Sequence, residues 1–110
     1  ILDYGAATRT IPAPLFNALV VRDRRCRFPG CDRPAAWCEG HHVRPWLQGG
    51  PTQLANLVLL CSRHHHLLHK PGWHGKLVPV ATLEVTDPLG RVRSTTPHDP
   101  SRASPLPLRE

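Results

Sequence analysis

The stretch Cys61–His69, CSRHHHLLH, places four histidines and one cysteine in nine residues. Thiolates and imidazoles at this density are metal chemistry. Cys61 and His64 stand at C-x2-H spacing, and Cys26 and Cys31 bracket RFPG upstream. Two thiolates from one knuckle, with a thiolate and an imidazole from the other, complete a tetrahedral zinc site of the structural kind. Cys38 competes with His64 for the fourth position, or is an ordinary buried thiol. A DNA-reading finger of the two-Cys, two-His type is excluded by spacing. Between Cys31 and His65 lie 33 residues, where that motif has about 12.

His65 and His69 stand four apart, so on a helix they share one face and can converge on one ion. His64 turns about 100° away from them, toward the knuckle, and His66 about 100° the other way. One short segment can therefore serve two metals, and it leaves His66 as a solvated residue, with a phosphate contact as the lesser reading. His74 and His98 have no partners in the sequence and read the same way. The second ion still needs a third ligand.

The run EGHHVRPW supplies one. His41-His42, then Asn56, then His65 and His69, framed by Cys26, Cys31 and Cys61, resembles the HNH endonuclease family. The likeness is to the zinc-knuckle HNH domains that end many actinobacterial proteins of otherwise unknown function. RDRRCRFPGC, HHVRPWLQGGPTQLANLVLLC and RHHHLLH are the matching runs, so the resemblance covers Arg22 to Trp73. The lead-in LDYGAATRTIP is also similar to that subgroup.

This resemblance implies a ββα-metal (His-Me finger) fold, two antiparallel strands and a helix around one catalytic ion. It implies that His41, His65 and His69 hold the ion, that His42 is the general base, and that Asn56 pins the loop between the strands and so orients His42. It also implies a phosphodiester hydrolase acting on DNA and leaving 5′-phosphate and 3′-hydroxyl ends. Three imidazoles suit Zn, Ni, Mn or Fe better than Mg by ligand preference, although Mg can act when phosphate oxygens and water share the coordination. Adjacent residues of a regular strand face opposite ways, so the strand is expected to end or twist at His41-His42. Glu39, on the face of His41, can orient His41 or an arginine, and reads more simply as a solvated carboxylate.

Several elements must position these groups. Residues 1–8 read as a short strand or lead-in. Leu15, Phe16, Leu19 and Val20 recur at helical spacing and place a helix over 13–23, capped by Thr10 with Pro12 in its first turn. Residues 24–36 form a loop. Trp37–Val43 and Leu57–Leu60 are strands, separated by a loop opened by Pro45 and Gly49-Gly50-Pro51. Residues 62–70 fit a short helix stopped by Pro71-Gly72. Residues 76–86 and 91–95 form a β-hairpin about the turn sequence DPLG. Trp37 and Trp46 are assigned to the core. The fold class is α+β. The chain divides into a lead-in strand and helix (1–21), a nuclease core (22–73), a β-hairpin extension (74–96) and a disordered tail (97–110) rich in proline.

The whole chain has 110 residues, with 14 Lys+Arg against 8 Asp+Glu, a net charge of +6. That size supports one small domain with a modest core, for which a metal is a common staple. The charge favours a polyanion. Arg22, Arg24, Arg25, Arg27, Arg33, Arg44 and Arg63 flank the motifs. Arg44 and Arg63 are the expected phosphate contacts, and a merely solvated basic face is the competing account for each. No element presents itself for reading base edges, so double-stranded DNA with weak sequence specificity is the expected partner. No apolar run approaches membrane-spanning length, and no export signal opens the chain. With unpaired cysteines beside histidines, this places the domain in the reducing cytoplasm. The first residue is Ile rather than Met, so the sequence reads as a piece of a longer polypeptide. Two other classes compete: a catalytically silent zinc module that binds nucleic acid or protein, and a secreted disulfide domain. The first has no use for His42 or Asn56. The second requires that reductant, not chelator, unfold it.

Overall fold

In the computed structural model, residue 5 and residues 9–97 are described. The expected tail therefore lies outside the described residues except at Pro97, as does most of the expected lead-in strand.

Helix α1 spans Ala13–Asp23. Its N-cap is Pro12, in extended backbone and without a side-chain cap, rather than the expected Thr10. The Pro12 carbonyl accepts the amide of Phe16 (2.9 Å), and a proline inside the first turn loses no hydrogen bond because those N–H groups have no helical partner. Arg24 ends the helix in the left-handed region, its amide returning to the Val20 carbonyl at 2.8 Å. Leu15, Phe16, Leu19 and Val20 form the buried face.

Two antiparallel strands follow, β1 (Cys38–His42) and β2 (Leu57–Cys61), in a register that sets His41 opposite Val58 and His42 opposite Leu57. Every residue of β2 is buried. A strand flanked by packing on both faces reads as a continuous apolar run, which is what LVLLC is. β2 packs against α1 and against helix α2 (Ser62–Leu67), so β1, β2 and α2 make a ββα unit. α2 is shorter than the expected 62–70. Its last turn tightens through the bonds His69 N–His66 O and Lys70 N–Leu67 O, both near 3 Å, and Gly72 then takes a positive φ.

Beyond it, the expected hairpin is a three-stranded antiparallel sheet of β3 (His74–Val78), β4 (Thr82–Thr86) and β5 (Val92–Thr95). The run taken as one strand over 76–86 folds back on itself at residues 79–81, where Pro79 cannot donate to a ladder. Leu83 and Val85 carry this sheet into the core formed by α1 and β2.

A buried ionic knot joins these parts. The Asp23 carboxylate, fully buried, accepts from Arg22 Nε (2.7 Å), Arg27 Nη1 (2.7 Å) and the Leu59 amide (3.0 Å). Arg27, also fully buried, reaches on to the carbonyls of Ala81 and Thr95 in the C-terminal sheet. Its amide bonds the Leu59 carbonyl at 2.8 Å, which ties the Cys26 loop to β2. Arg22 and Arg27 are thus internal struts and not part of a solvated basic face. The core assignment of Trp37 also fails. Trp37 is 66% exposed and its ring lies beneath the Arg33 guanidinium, because the 3-10 turn Ala35–Trp37 turns Ala35 inward instead.

Candidate metal centres

The loop after α1 and the junction of β2 with α2 bring Cys26, Cys31, Cys61 and His64 together, their ligand atoms within 4.8 Å of one another. His64 Nδ1 lies 3.3 Å from Cys61 Sγ and 3.6 Å from Cys26 Sγ, so this nitrogen is the one turned to the sulfurs. The His64 ring is stacked on Phe28, centroids 4.1 Å apart and planes 3° from parallel. Contact with Cys38 and burial push the Cys26 thiol well above its ordinary range, and burial pushes Cys31 up to about 11. Burial, and then the charges of Arg63, Arg33 and Arg93, hold His64 below the usual histidine value and therefore neutral. Three thiolates and a neutral imidazole around a divalent cation carry one net negative charge, which the positive charges acting on His64 would offset. The donor set and its surroundings fit zinc. Cys38 is buried and outside the group. Its Sγ lies 3.4 Å from the Pro34 carbonyl, at which an S–H can donate.

The second cluster is His41, His65 and His69, again with ligand atoms within 4.8 Å of one another. The ring centroids lie 5.0 to 5.3 Å apart. Second partners orient two of the rings. His65 Nδ1 lies 2.6 Å from Glu39 Oε1, and His69 Nδ1 lies 2.7 Å from the His65 carbonyl. With Nδ1–H donated in each, Nε2 carries the lone pair, the state a cation needs. Glu39 is therefore more than a solvated carboxylate, and it orients His65 rather than His41. Burial, then the neighbouring histidines His65, His69 and His42, lower His41 to about 3, which leaves it a neutral donor. Imidazoles alone fit zinc, nickel or manganese. His66 is exposed and outside the cluster.

His42 ends β1 and is half-buried. It lines an open cleft of about 510 Å³ together with His41, His65 and His69, so the alternation of the strand does not separate His42 from those three. Burial, and then the Arg9 charge, lower the pKa of His42, which keeps it in the neutral form that can accept a proton. Arg9 lines the same cleft and sits 5.8 Å above the Trp46 ring. His42 Nε2 lies 2.8 Å from the hydroxyl of Thr52, a fully buried residue.

Asn56 closes the loop between the strands. Its Oδ1 accepts the Arg44 amide (2.9 Å), and its Nδ2 donates to the carbonyls of Arg44 (3.1 Å) and Pro51 (2.9 Å). Gly50 lies so close to this clasp that a Cβ would run into the Arg44 carbonyl. Arg44 is exposed and lines a second cavity, of about 530 Å³, with His41, His69, His74 and Lys76. Arg63 lines neither cavity and stands beside the Cys26–Cys31–Cys61–His64 cluster, next to His64.

Thr52, Arg9 and His74 carried no signal in the sequence. Nothing in the order of residues tells a buried hydroxyl beside an imidazole from any other threonine. Arg9 reaches the cleft only through the path of the chain ahead of α1. His74 reaches the second cavity through the return of β3.

Residues 24–70 match the family model described as HNH endonuclease. The chain is 41% identical over 86 residues to the uncharacterized protein Rv3776 of Mycobacterium tuberculosis, an alignment covering 77% of this chain and 16% of that protein. It is 42% identical over 86 residues to the uncharacterized protein Rv2100 of the same organism, with the same coverage of 77% and 16%. The uncharacterized protein Mb1179c of Mycobacterium bovis is 44% identical over 55 residues, covering 50% of this chain and 12% of its own length. The chain therefore spans about a sixth of the length of the first of these relatives. No solved structure matches. Among the described residues, no helix is long and apolar enough to cross a membrane.

Proposed function

Residues 24–70 belong to the HNH endonuclease family, and from that premise we propose that this domain is a metal-dependent DNA endonuclease with His42 as its general base. The observation that carries the reading is the cleft in which three clustered imidazoles, His41, His65 and His69, share one space with His42, a histidine that is not among them. His41, His65 and His69 would hold a divalent cation, which supplies neutralisation of a non-bridging phosphate oxygen and of the departing 3′ oxygen. Cys26, Cys31, Cys61 and His64 would hold a structural zinc that fixes α2, and so fixes His65 and His69.

The residues of the chain divide the remaining work. His42 takes a proton from the attacking water as its oxygen bonds to phosphorus. The phosphorus–O3′ bond breaks, and the 3′ oxygen acquires a proton from solvent, leaving 5′-phosphate and 3′-hydroxyl ends. Neutral imidazole suits this task near pH 7, and general-base catalysis is worth about 10²–10⁴-fold. Asn56 holds the loop that follows His42, and Glu39 holds His65. Arg44, at the edge of the second cavity, and Arg63, on α2, are phosphate contacts that position DNA without reading its sequence. Duplex DNA with weak sequence preference is the substrate class. The activity and partners of the longer proteins that carry such domains are part of this same proposal.

His42→Ala tests it on supercoiled plasmid with zinc, nickel, manganese or magnesium. The expected result is loss of nicking with full metal content and an unchanged fold. Nicking at the wild-type rate by clean His42→Ala protein would contradict the assignment, and wild-type protein that binds DNA without nicking it under any of these metals would favour the silent zinc module.

A further inference from the structure

A neutral imidazole offers one N–H and one lone pair, so a histidine base is defined only when it is known which nitrogen keeps the proton. Thr52 bears on that choice. Its side chain is fully buried, with Oγ1 2.8 Å from His42 Nε2. Its backbone is held on both sides. The Thr52 amide donates to the Gly5 carbonyl (2.8 Å), and the preceding Pro51 carbonyl accepts from Asn56 Nδ2 (2.9 Å). Among the described residues His42 Nδ1 has no hydrogen-bond partner.

We propose that Thr52 is a positioning residue: its hydroxyl oxygen accepts Nε2–H of His42, fixes that tautomer and ring orientation, and leaves the Nδ1 lone pair to take the proton from water. The inference rests on the reading of His42 as the base. The opposite polarity, with the hydroxyl donating to Nε2, would occupy the lone pair and put the proton on Nδ1. Such a ring has no nitrogen left to act as a base. It also gives Asn56 a second task. By holding the Pro51 carbonyl it sets the position of the hydroxyl as well as the shape of the loop.

Two measurements on the zinc-loaded chain test this. The first is the 15N spectrum of the wild-type histidines, with His42 assigned by comparison with His42→Gln. Protonated Nε2 and bare Nδ1 are expected, and bare Nε2 with protonated Nδ1 would overturn the proposal. This readout stands even if the protein cleaves no DNA, in which case only the nuclease reading fails. The second is single-turnover cleavage by Thr52→Val and Thr52→Ser. Loss of an orienting partner is expected to slow Thr52→Val about 10–100-fold, with DNA affinity and metal content unchanged. Thr52→Ser, which keeps the hydroxyl, should return close to the wild-type rate. Wild-type cleavage by folded Thr52→Val, or equal losses in both variants, would also overturn it. If Thr52→Val does not fold, the tautomer measurement and Thr52→Ser still decide.

Discussion

Replacing Asp23 with Ala strands a guanidinium inside the molecule. The Asp23 carboxylate has no exposure, and it accepts from Arg22, Arg27 and the Leu59 amide. The Arg22 side chain is 16% exposed and can swing toward water, so its share of the loss is small. Arg27 has no such route. Its side chain is 0% exposed, and Asp23 is its only ion-pair partner among the described residues. Burial already pulls the Arg27 pKa down, and the Asp23 charge opposes that pull. Removing one partner of a buried pair costs about 3–5 kcal/mol. The orphaned Leu59 amide belongs to the same loss and is not counted again. Against a total stability of about 5–15 kcal/mol for a domain, this is enough to unfold a substantial fraction of the protein. Urea unfolding with zinc in excess measures it, and the midpoint should fall without a change in slope. Adding Arg27→Met should recover part of the loss, because the stranded charge goes with it. The recovery is incomplete, since the Ala81 and Thr95 carbonyls then lose a donor. A cost below about 1 kcal/mol for Asp23→Ala, or a double variant no more stable than the single, would refute the reasoning.

Three further outcomes are expected. Cys61→Ser should abolish cooperative thermal unfolding, and a zinc chelator should do the same to the wild type while reductant does not. Near-ultraviolet circular dichroism follows both, and unfolding by reductant alone would restore the disulfide reading. Gly50→Ala should displace the Arg44 carbonyl and open the Asn56 clasp, seen as faster hydrogen exchange of the Arg44 amide; unchanged protection counts against the clasp. Burial and the Arg9 charge hold His42 below its ordinary pKa, so its neutral form persists below pH 6.5 and the acid limb of cleavage falls below that value. Arg9→Ala removes a lowering charge and should move that limb to higher pH, whereas a limb that stays in place or moves lower contradicts the arrangement.

Spacing made much of the site legible, and path made the rest invisible. His65 and His69 stand at i and i+4, and Cys61 and His64 share one turn, so these neighbours follow from helix geometry. The apolar run LVLLC similarly announced a strand covered on both faces. Asp23 and Arg27 also stand at i and i+4, yet Arg27 read only as one of the arginines flanking the motifs and Asp23 drew no reading. Burial depends on where the C-terminal sheet lands, and residue order does not give that. The same holds for Trp37, which a single turn of 3-10 helix puts outside. Glu39 was legible as sharing the face of His41 but not as the partner of His65, because that contact forms between β1 and α2.

The central claim is that two cation sites stand side by side, with His42 beside one of them and bound to neither. Anomalous diffraction at the zinc edge from crystals of the zinc-loaded chain tests it most directly. Two peaks are predicted, one among Cys26, Cys31, Cys61 and His64 and the other among His41, His65 and His69, with both nitrogens of His42 outside bonding distance of either ion. A single peak at the cysteines, or His42 coordinated to the second ion, would contradict it.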